Sequence, residues 1–390
     1  MWSAYGRLVA SRRTLVVLLA AWTGGWFVVM AVPGGYAWHF FTIGEGILSD
    51  LDDPRLGLHV YADDPKLQIG PVAFVVTWLL RVLSSPRSDM LTAQLFCAGA
   101  IVLVLAMVHR IAVLGQVASR HVEPAERIDR RLLVAAFCVV PVWMYAAVFS
   151  LHLDDILAMV FGVAALLCAL DRRPWLTGLL VALAVDSKPW AVPFAAVILL
   201  LPGARNWLRS TVVAAVGVAA AWLPFFVADP NTTRALRFTI GNTALSALRV
   251  LGVQDPRTPS WDRPAQMLIG LALAAIAVRR GRWAAALLVA TSVRMALDPG
   301  TNRYYTAGLV VGALVWDVCG SRLRWPAWSL TTFLLLHELR WLRAFDPLHG
   351  WLVLGFAAAA TAVAVLPAEN GPVLLQEYTR FDTEVPRLRP

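Results

Sequence analysis

The densest set of potentially reactive side chains lies in residues 33–90, directly after the first apolar run. Removing a proton from a hydroxyl needs a base with a raised pKa, which a half-buried carboxylate or an imidazole supplies. The candidates for this base are His39, Glu45, Asp50 and Asp53. Asp63 and Asp64, before Pro65, are candidates for supporting an acceptor. The alternative for each Asp is a solvated turn, because Asp before Pro is typical of turns.

A second acidic group lies in residues 151–156 (LHLDDI), between two apolar runs. His152 and Asp155 share one face if the helix begins early. Asp154 and Asp155 are adjacent, so they cannot both face the centre of a bundle. Helix capping is the alternative, because an Asp at a helix start satisfies free N–H groups and complements the dipole. Both interpretations stay open, and one Asp can serve each role.

Two cationic positions at the ends of later apolar runs indicate an anionic ligand. Lys188 interrupts an apolar hairpin, where an ionisable group usually lines a cavity or pairs with a partner. Arg303 opens a helix against the dipole preference, so we expect a partner there, either a lipid phosphate or Asp298. Tyr304 and Tyr305 complete the predicted donor-phosphate site. The alternatives are snorkelling of Lys188 and an aromatic belt at the tyrosines.

The composition indicates a membrane protein. Of 390 residues, 59% are hydrophobic and 15% charged, and the mean hydropathy is +0.65, whereas soluble domains have about 45–50% apolar and about 25% charged residues. The net charge of +9 comes from short basic clusters between apolar runs, so we expect no nucleic-acid partner. The four cysteines lie in apolar runs and indicate neither disulfides nor metal ligands. Walker and dinucleotide-binding motifs are absent from the sequence.

The apolar runs predict an all-α fold, a polytopic transmembrane bundle of about twelve spans. The predicted spans lie near 14–32, 91–108, 132–149, 154–170, 174–186, 188–202, 211–228, 265–280, 283–297, 303–319, 325–341 and 350–367. The run at 70–83 is short, and we expect it to lie along the membrane interface. The arginine-rich loops then fall on one side, which the positive-inside rule makes the cytoplasm. Both chain ends are predicted to be cytoplasmic, and loop 33–90 to face outwards.

The predicted organisation has three parts. Residues 1–228 form a catalytic transmembrane module that includes outer loop 33–90. Residues 229–367 form further transmembrane helices. Residues 368–390 are polar and proline-containing, which indicates a cytoplasmic tail.

The order of features along residues 14–228 is informative. A helix precedes a long acidic outer loop with an interfacial helix after Pro71, and a basic inner loop, an Asp-Asp turn and a hairpin ending Ser-Lys-Pro follow. This layout resembles the GT-C superfamily of integral-membrane glycosyltransferases, and most of all the actinobacterial mannosyltransferases that use polyprenyl-phosphate sugars. The resemblance implies a carboxylate base early in the first outer loop. This chain has no Asp there, and His39 or Glu45 stands nearby.

The resemblance also implies a function. A polyprenyl-phosphate sugar, mannose or arabinose, would react at the outer face of the inner membrane, with its phosphate at Lys188 and Arg303. The acceptor would be a cell-envelope glycolipid or glycan, the transfer would invert the anomeric centre, and membrane lipids would be partners. No metal ligand is predicted, and the need for a divalent metal stays open. The alternatives are a transporter or lipid flippase, which predicts charges near span midpoints, and a silent scaffold.

Overall fold

A computed structural model describes residues 12–49, 57–118, 124–339, 342 and 347–366. Most of these residues are helical, and they contain no β-strand, as the sequence predicts. The α-helices in chain order are α1 (Arg12–Ala31), α2 (Trp38–Leu48), α3 (Val60–Asp63), α4 (Pro71–Val82), α5 (Asp89–Ala118), α6 (Ala125–Met144), α7 (Leu153–Leu170), α8 (Pro174–Ser187), α9 (Ala204–Ala228), α10 (Thr233–Leu236), α11 (Ala247–Val250), α12 (Asp262–Arg279), α13 (Ala286–Leu297), α14 (Thr306–Cys319), α15 (Ala327–Thr331) and α16 (His349–Val365).

Five of the described helical segments are long and apolar enough to cross a membrane. They are Arg13–Ala31, Asp89–Gly115, Ala125–Phe149, Leu153–Leu170 and Ala204–Ala228. The most apolar part of α7 is 72% buried, whereas that of α1 and of α9 is only 11% buried. Helix α7 is therefore central, and α1 and α9 present most of their apolar surface to the surroundings, as expected where lipid replaces water.

The helical segments follow the predicted apolar runs closely. Each predicted span coincides, over its described part, with a helical segment, including the short ones such as α8 and α13. The boundaries shift by a few residues, because helix starts depend on local chemistry more than on apolarity. The predicted tail at 368–390 lies outside the described residues.

Several helical segments depart from regular α-helix, and two of these departures lie beside α7 and α8. Helix α6 contains Pro141 and continues as a π-helix over Tyr145–Phe149. After it, Leu151 adopts a left-handed backbone with φ of 53°, which costs energy for a residue with a side chain. The second irregular segment is a 3₁₀-helix over Pro189–Leu200, which begins directly after Lys188. These breaks leave backbone groups at the start of α7 and the end of α8 outside regular helical hydrogen bonding.

The segment between α1 and α5, called the first loop below, contains α2, α3 and α4. Helix α4 has 12 residues, or about 18 Å at 1.5 Å per residue, which is short against a hydrocarbon core of about 30 Å. Pro71 occupies its first turn, where a missing N–H costs nothing. Helix α2 packs against α4, and the two are joined by an ion pair between Glu45 and Arg81.

Backbone contacts dock this loop onto the two irregular segments. The N–H of Ala37 donates to the carbonyl of Ser150 at 3.0 Å, and the N–H of Gly70 donates to the carbonyl of Ser187 at 3.1 Å. A Cβ added at Gly70 would stand 1.9 Å from the carbonyl oxygen of Asp186, so only glycine fits there. The loop is thus held next to the starts of both α7 and the 3₁₀-helix.

A polar clamp joins the same loop to the segment after α9. Nδ1 of His59 lies 3.0 Å from Oδ2 of Asp229, and Arg263 donates to Oε1 of Gln68 at 3.1 Å. The backbone N–H of Asn231, and after it the His59 side chain, lowers the pKa of Asp229. The two contacts hold distant parts of the chain together.

Candidate active site

The acidic pair Asp154 and Asp155 lies in the first turn of α7, and both side chains are almost fully buried. The residue before the helix, His152, makes no side-chain capping hydrogen bond. Oδ1 of Asp154 accepts the N–H of Asp155 at 2.9 Å, so Asp154 satisfies one free N–H of the first turn, as the capping alternative predicts. Buried carboxylates require charged or polar partners, and each Asp has its own.

Asp154 pairs with Lys188. The Lys188 ammonium donates to Oδ2 of Asp154, and the Lys188 side chain is 17% exposed. On the other side of the carboxylate, Oδ1 of Asp154 lies 3.6 Å from Nδ1 of His152. Lys188 thus bridges a buried acid and the outside of the cluster, so snorkelling alone does not explain its position. One contact leaves two further N–H groups of the ammonium for other acceptors.

Asp155 pairs with two residues from different segments. Its Oδ1 accepts from Nε1 of Trp190 at 2.7 Å and from Nη1 of Arg294 at 3.2 Å. Its Oδ2 is buried, lies 3.8 Å from Nδ1 of His152, and makes no hydrogen bond within the described part of the chain. One oxygen of Asp155 is therefore fixed in place while the other faces the imidazole.

Aromatic rings pack around the charged groups. The His152 ring stacks on Tyr304 with centroids 3.5 Å apart. The Arg294 guanidinium lies 4.1 Å from the ring centroid of Trp190 and 4.8 Å from that of Tyr305. Such cation–π contacts hold a guanidinium without neutralising its charge. Tyr304 and Tyr305 therefore belong to the site and are not only an aromatic belt.

Arg303 borders this cluster. It donates to the carbonyl of His337 at 2.8 Å, and its guanidinium lies 5.1 Å from the ring of Tyr145 in the π-helix. The sequence suggested Asp298 as the alternative partner of Arg303. In the structure, Asp298 accepts the N–H of Gly300 at 2.8 Å, and burial raises the pKa of Asp298 to about 6. Asp298 thus closes the turn after α13.

The described candidate residues of the first loop make contacts other than those of the cluster at the start of α7. His39 is exposed, with Nδ1 2.8 Å from the carbonyl oxygen of Tyr36, and Glu45 is buried against Arg81. Asp63 is exposed, and Asp64 accepts the N–H of Lys66 at 3.3 Å, as in the turn alternative. The other two predicted bases, Asp50 and Asp53, lie outside the described residues.

Sequence reasoning missed Arg294 and Trp190. Arg294 is the only charged residue in the apolar helix α13, and an isolated ionisable group inside an apolar run is a usable signal. Trp190 carries no such signal, because the indole donor matters only once Asp155 is seen beside it. Arg294 comes from the part of the chain assigned to the later helices, so the site draws on both predicted parts.

The same cluster contains a possible set of metal ligands. One ligand atom each from His152, Asp154 and Asp155 lie within 4.8 Å of one another. An imidazole and two carboxylates suit a divalent cation. However, Lys188 and Arg294 already neutralise the two carboxylates. A cation here would have to compete with two resident positive charges.

Comparison with protein-family models, curated proteins and solved structures found no match to this chain. Its function is therefore inferred from its own residues. The decisive arrangement is two buried acids, two cations and a His–Tyr stack at the end of an apolar bundle.

Proposed function

We propose that the chain is a membrane glycosyltransferase that moves a sugar from a polyprenyl phosphate to a hydroxyl of a cell-envelope glycolipid or glycan. The observation that supports this most is the pairing of Asp154 with Lys188 and of Asp155 with Arg294. Such a site offers an acid–base group and fixed positive charge together. Sugar transfer from a phosphate needs both, since a hydroxyl loses a proton and a phosphate leaves.

Asp155 and His152 are the proposed base. The acceptor hydroxyl gives its proton to this pair as its oxygen bonds to the anomeric carbon, and the bond from that carbon to the phosphate oxygen breaks. The electron pair leaves with the polyprenyl phosphate, and attack from the opposite face inverts the anomeric centre. Oδ1 of Asp155 is held by Trp190 and Arg294, which leaves Oδ2, 3.8 Å from the His152 ring, to share the proton.

Lys188 and Arg303 are the proposed phosphate ligands. Lys188 reaches the outside of the cluster while anchored on Asp154, and Arg303 lies beside the His152–Tyr304 stack in sequence and in space. Charge-assisted hydrogen bonds to a phosphate are short and strong. Tyr304 and Tyr305 would border the sugar. This assignment moves the base from the first loop to the start of α7.

The first loop has a different role in this proposal. Its docking at Ser150 and Ser187 makes it a cover for the site, and α4 lies along the membrane surface and limits access of water. Mannose or arabinose is the proposed sugar class, on the resemblance noted above. By the positive-inside rule the site faces the outside of the inner membrane, with both chain ends in the cytoplasm.

The test is direct transfer by the purified full-length protein. It is reconstituted with a radiolabelled polyprenyl-phosphate sugar and a membrane lipid extract, and labelled glycolipid is separated and counted. We expect a labelled product whose formation Asp155→Asn slows about 100-fold or more. Labelled lipid that crosses the bilayer of sealed vesicles with no new glycosidic product would instead support the flippase alternative. If no labelled product forms and no labelled lipid crosses the bilayer with any sugar tested, the proposal is contradicted.

A further inference from the structure

Asp298 is a buried acid that has no part in the proposed transfer. It directly follows the last residue of α13 and lies four positions after Arg294, a spacing that brings two side chains together on one side of a helix. Only 9% of Asp298 and 8% of Arg294 is exposed. A buried carboxylate needs a charged or polar partner, and Arg294 is the cation that its own helix supplies.

The charge on Asp298 is maintained by its surroundings. Burial raises the pKa of Asp298 to about 6, although the charge of Arg294, the N–H of Gly300 and the charge of Arg263 act in the opposite direction. Because this value lies below neutral pH, Asp298 is mainly ionised there. Its negative charge is therefore available to attract the Arg294 guanidinium.

Arg294 interacts with two carboxylates and two aromatic rings. Its Nη1 donates to Oδ1 of Asp155 at 3.2 Å, and its guanidinium carbon lies 4.1 Å from the ring centroid of Trp190 and 4.8 Å from that of Tyr305. The charge of Asp298 acts on the same guanidinium from the end of α13. The position of Arg294, and with it that of Oδ1 of Asp155, thus depends on both acids.

We propose that Asp298 is a positioning residue for the proposed base, because its charge fixes the Arg294 guanidinium that holds Oδ1 of Asp155. The inference rests on the proposed function and adds a residue that acts on the reaction only through Arg294. Such an effect can be large, since a displacement of about 1 Å caused far from the reacting atoms can cost about 100-fold in rate. The alternative is that Asp298 only closes its turn by accepting the N–H of Gly300.

Asp298→Asn separates the charge from the turn. The amide oxygen of Asn can accept the N–H of Gly300 as the carboxylate does, so the turn is kept and only the charge is lost. Asp229→Asn is the matched control, because Oδ1 of Asp229 likewise accepts the N–H two residues ahead, that of Asn231, at 2.7 Å. The ionisable partner of Asp229 is His59 and not an arginine of the site.

Steady-state transfer by the full-length protein in lipid nanodiscs is the first measurement. We expect Asp298→Asn to lower kcat about tenfold to 100-fold and to leave KM for the polyprenyl-phosphate sugar within about twofold, because only the geometry of the base changes. Asp229→Asn should change neither. Since Asp298 acts through Arg294, adding Asp298→Asn to Arg294→Lys should lower kcat no further.

Fluorine NMR of protein labelled with fluorotryptophan locates Arg294 without any sugar transfer. The Trp190 signal is assigned by its loss in Trp190→Phe, and it senses the cation held 4.1 Å from the ring centroid. We expect Asp298→Asn to move this signal and Asp229→Asn to leave it in place.

The two measurements distinguish the positioning role from the proposed function. The inference is overturned if Asp298→Asn leaves either kcat or the Trp190 signal unchanged, or if the double variant is much slower than Arg294→Lys. A Trp190 signal that moves as expected, in a protein that makes no product, would overturn the proposed function alone.

Discussion

Two acidic regions of this chain differ in how their charges are held. At the start of α7, Asp154 and Asp155 are almost fully buried, and each meets a cation from another segment. In the first loop, Glu45 pairs with Arg81, whose side chain is 39% exposed, and Asp63 is exposed. Both regions lie in the same half of the chain and both are rich in acids.

Burial determines how strongly a carboxylate interacts with its neighbours. A buried carboxylate held by an anchored cation keeps its geometry and works in a low dielectric, where its interactions are strong. An exposed carboxylate is screened by water and salt. The α7 pair therefore suits catalysis, and the first loop suits covering the site and contacting the acceptor.

The largest expected effect comes from removing a cation from the buried pair. Lys188→Met leaves Asp154 buried without its partner, which typically costs about 3–5 kcal/mol of stability. The double variant Asp154→Asn/Lys188→Met should regain most of this loss, because both charges are then gone. Thermal unfolding of the purified variants measures both. Equal unfolding temperatures for the single and the double variant would show that the two side chains are not coupled.

Asp155→Asn tests the proposed base. It keeps the shape of the side chain but removes a proton acceptor, and we expect the transfer rate to fall about 100-fold or more. Initial rates with a polyprenyl-phosphate sugar provide the measurement, and retained binding of the polyprenyl phosphate shows that the variant is folded. A rate within about threefold of the unmodified protein would exclude Asp155 as the base.

Glu45→Gln tests whether the first loop supplies the base. Glu45 is 6% exposed and Arg81 is 39% exposed, so water screens the Arg81 end of the pair, and its loss should cost less than about 3–5 kcal/mol, the cost of breaking a fully buried pair. We expect a small drop in unfolding temperature and a transfer rate within about threefold of the unmodified protein, with His39→Ala behaving alike. A loss as large as that of Asp155→Asn would return the base to the first loop.

The His59–Asp229 clamp predicts a weak acid dependence. Because the pKa of Asp229 is lowered on folding, its contribution to stability is fully present above the ordinary pKa of about 3.9. That contribution is lost as pH falls through the lowered value. Asp229→Asn should therefore be slightly less stable than the unmodified protein at pH 7, and the gap should close as the pH falls below the lowered pKa of Asp229. Unfolding temperatures measured across this range provide the check, and a gap that persists in acid would exclude the clamp.

Chelation should have no effect at all. Lys188 and Arg294 already supply the positive charge that His152, Asp154 and Asp155 would otherwise draw from a metal ion. Transfer rates before and after treatment with EDTA, and after adding back Mg²⁺ or Mn²⁺, measure this. A metal-dependent rate would mean that a cation displaces one of the two side chains.

Much of the fold follows from the sequence, because apolar runs bounded by charge translate directly into helices. The runs at 154–170 and 303–319, for example, correspond to α7 and to Arg303–Cys319. The irregular segments were harder to predict from the sequence. Nothing in the local sequence distinguishes Tyr145–Phe149 as a π-helix, or Leu151 as a residue with positive φ.

The sequence indicated many residues of the candidate site but not which of them are in contact. Asp154, Asp155, Lys188 and Tyr304 stand out because polar groups interrupt apolar runs. Their partners could not be predicted in the same way, because Asp155 is 139 positions from Arg294 and only packing brings them together. The first-loop acids were equally conspicuous, and sequence alone gives no measure of whether such a carboxylate is paired or exposed.

The contact at Gly70 attaches the first loop to the segment after α8 through main-chain atoms. Because the carbonyl of Ser187 holds a main-chain N–H there, the neighbouring side chains take no part in that bond. Most exposed residues of the first loop could therefore be exchanged without loss of this attachment, provided that the glycine is kept.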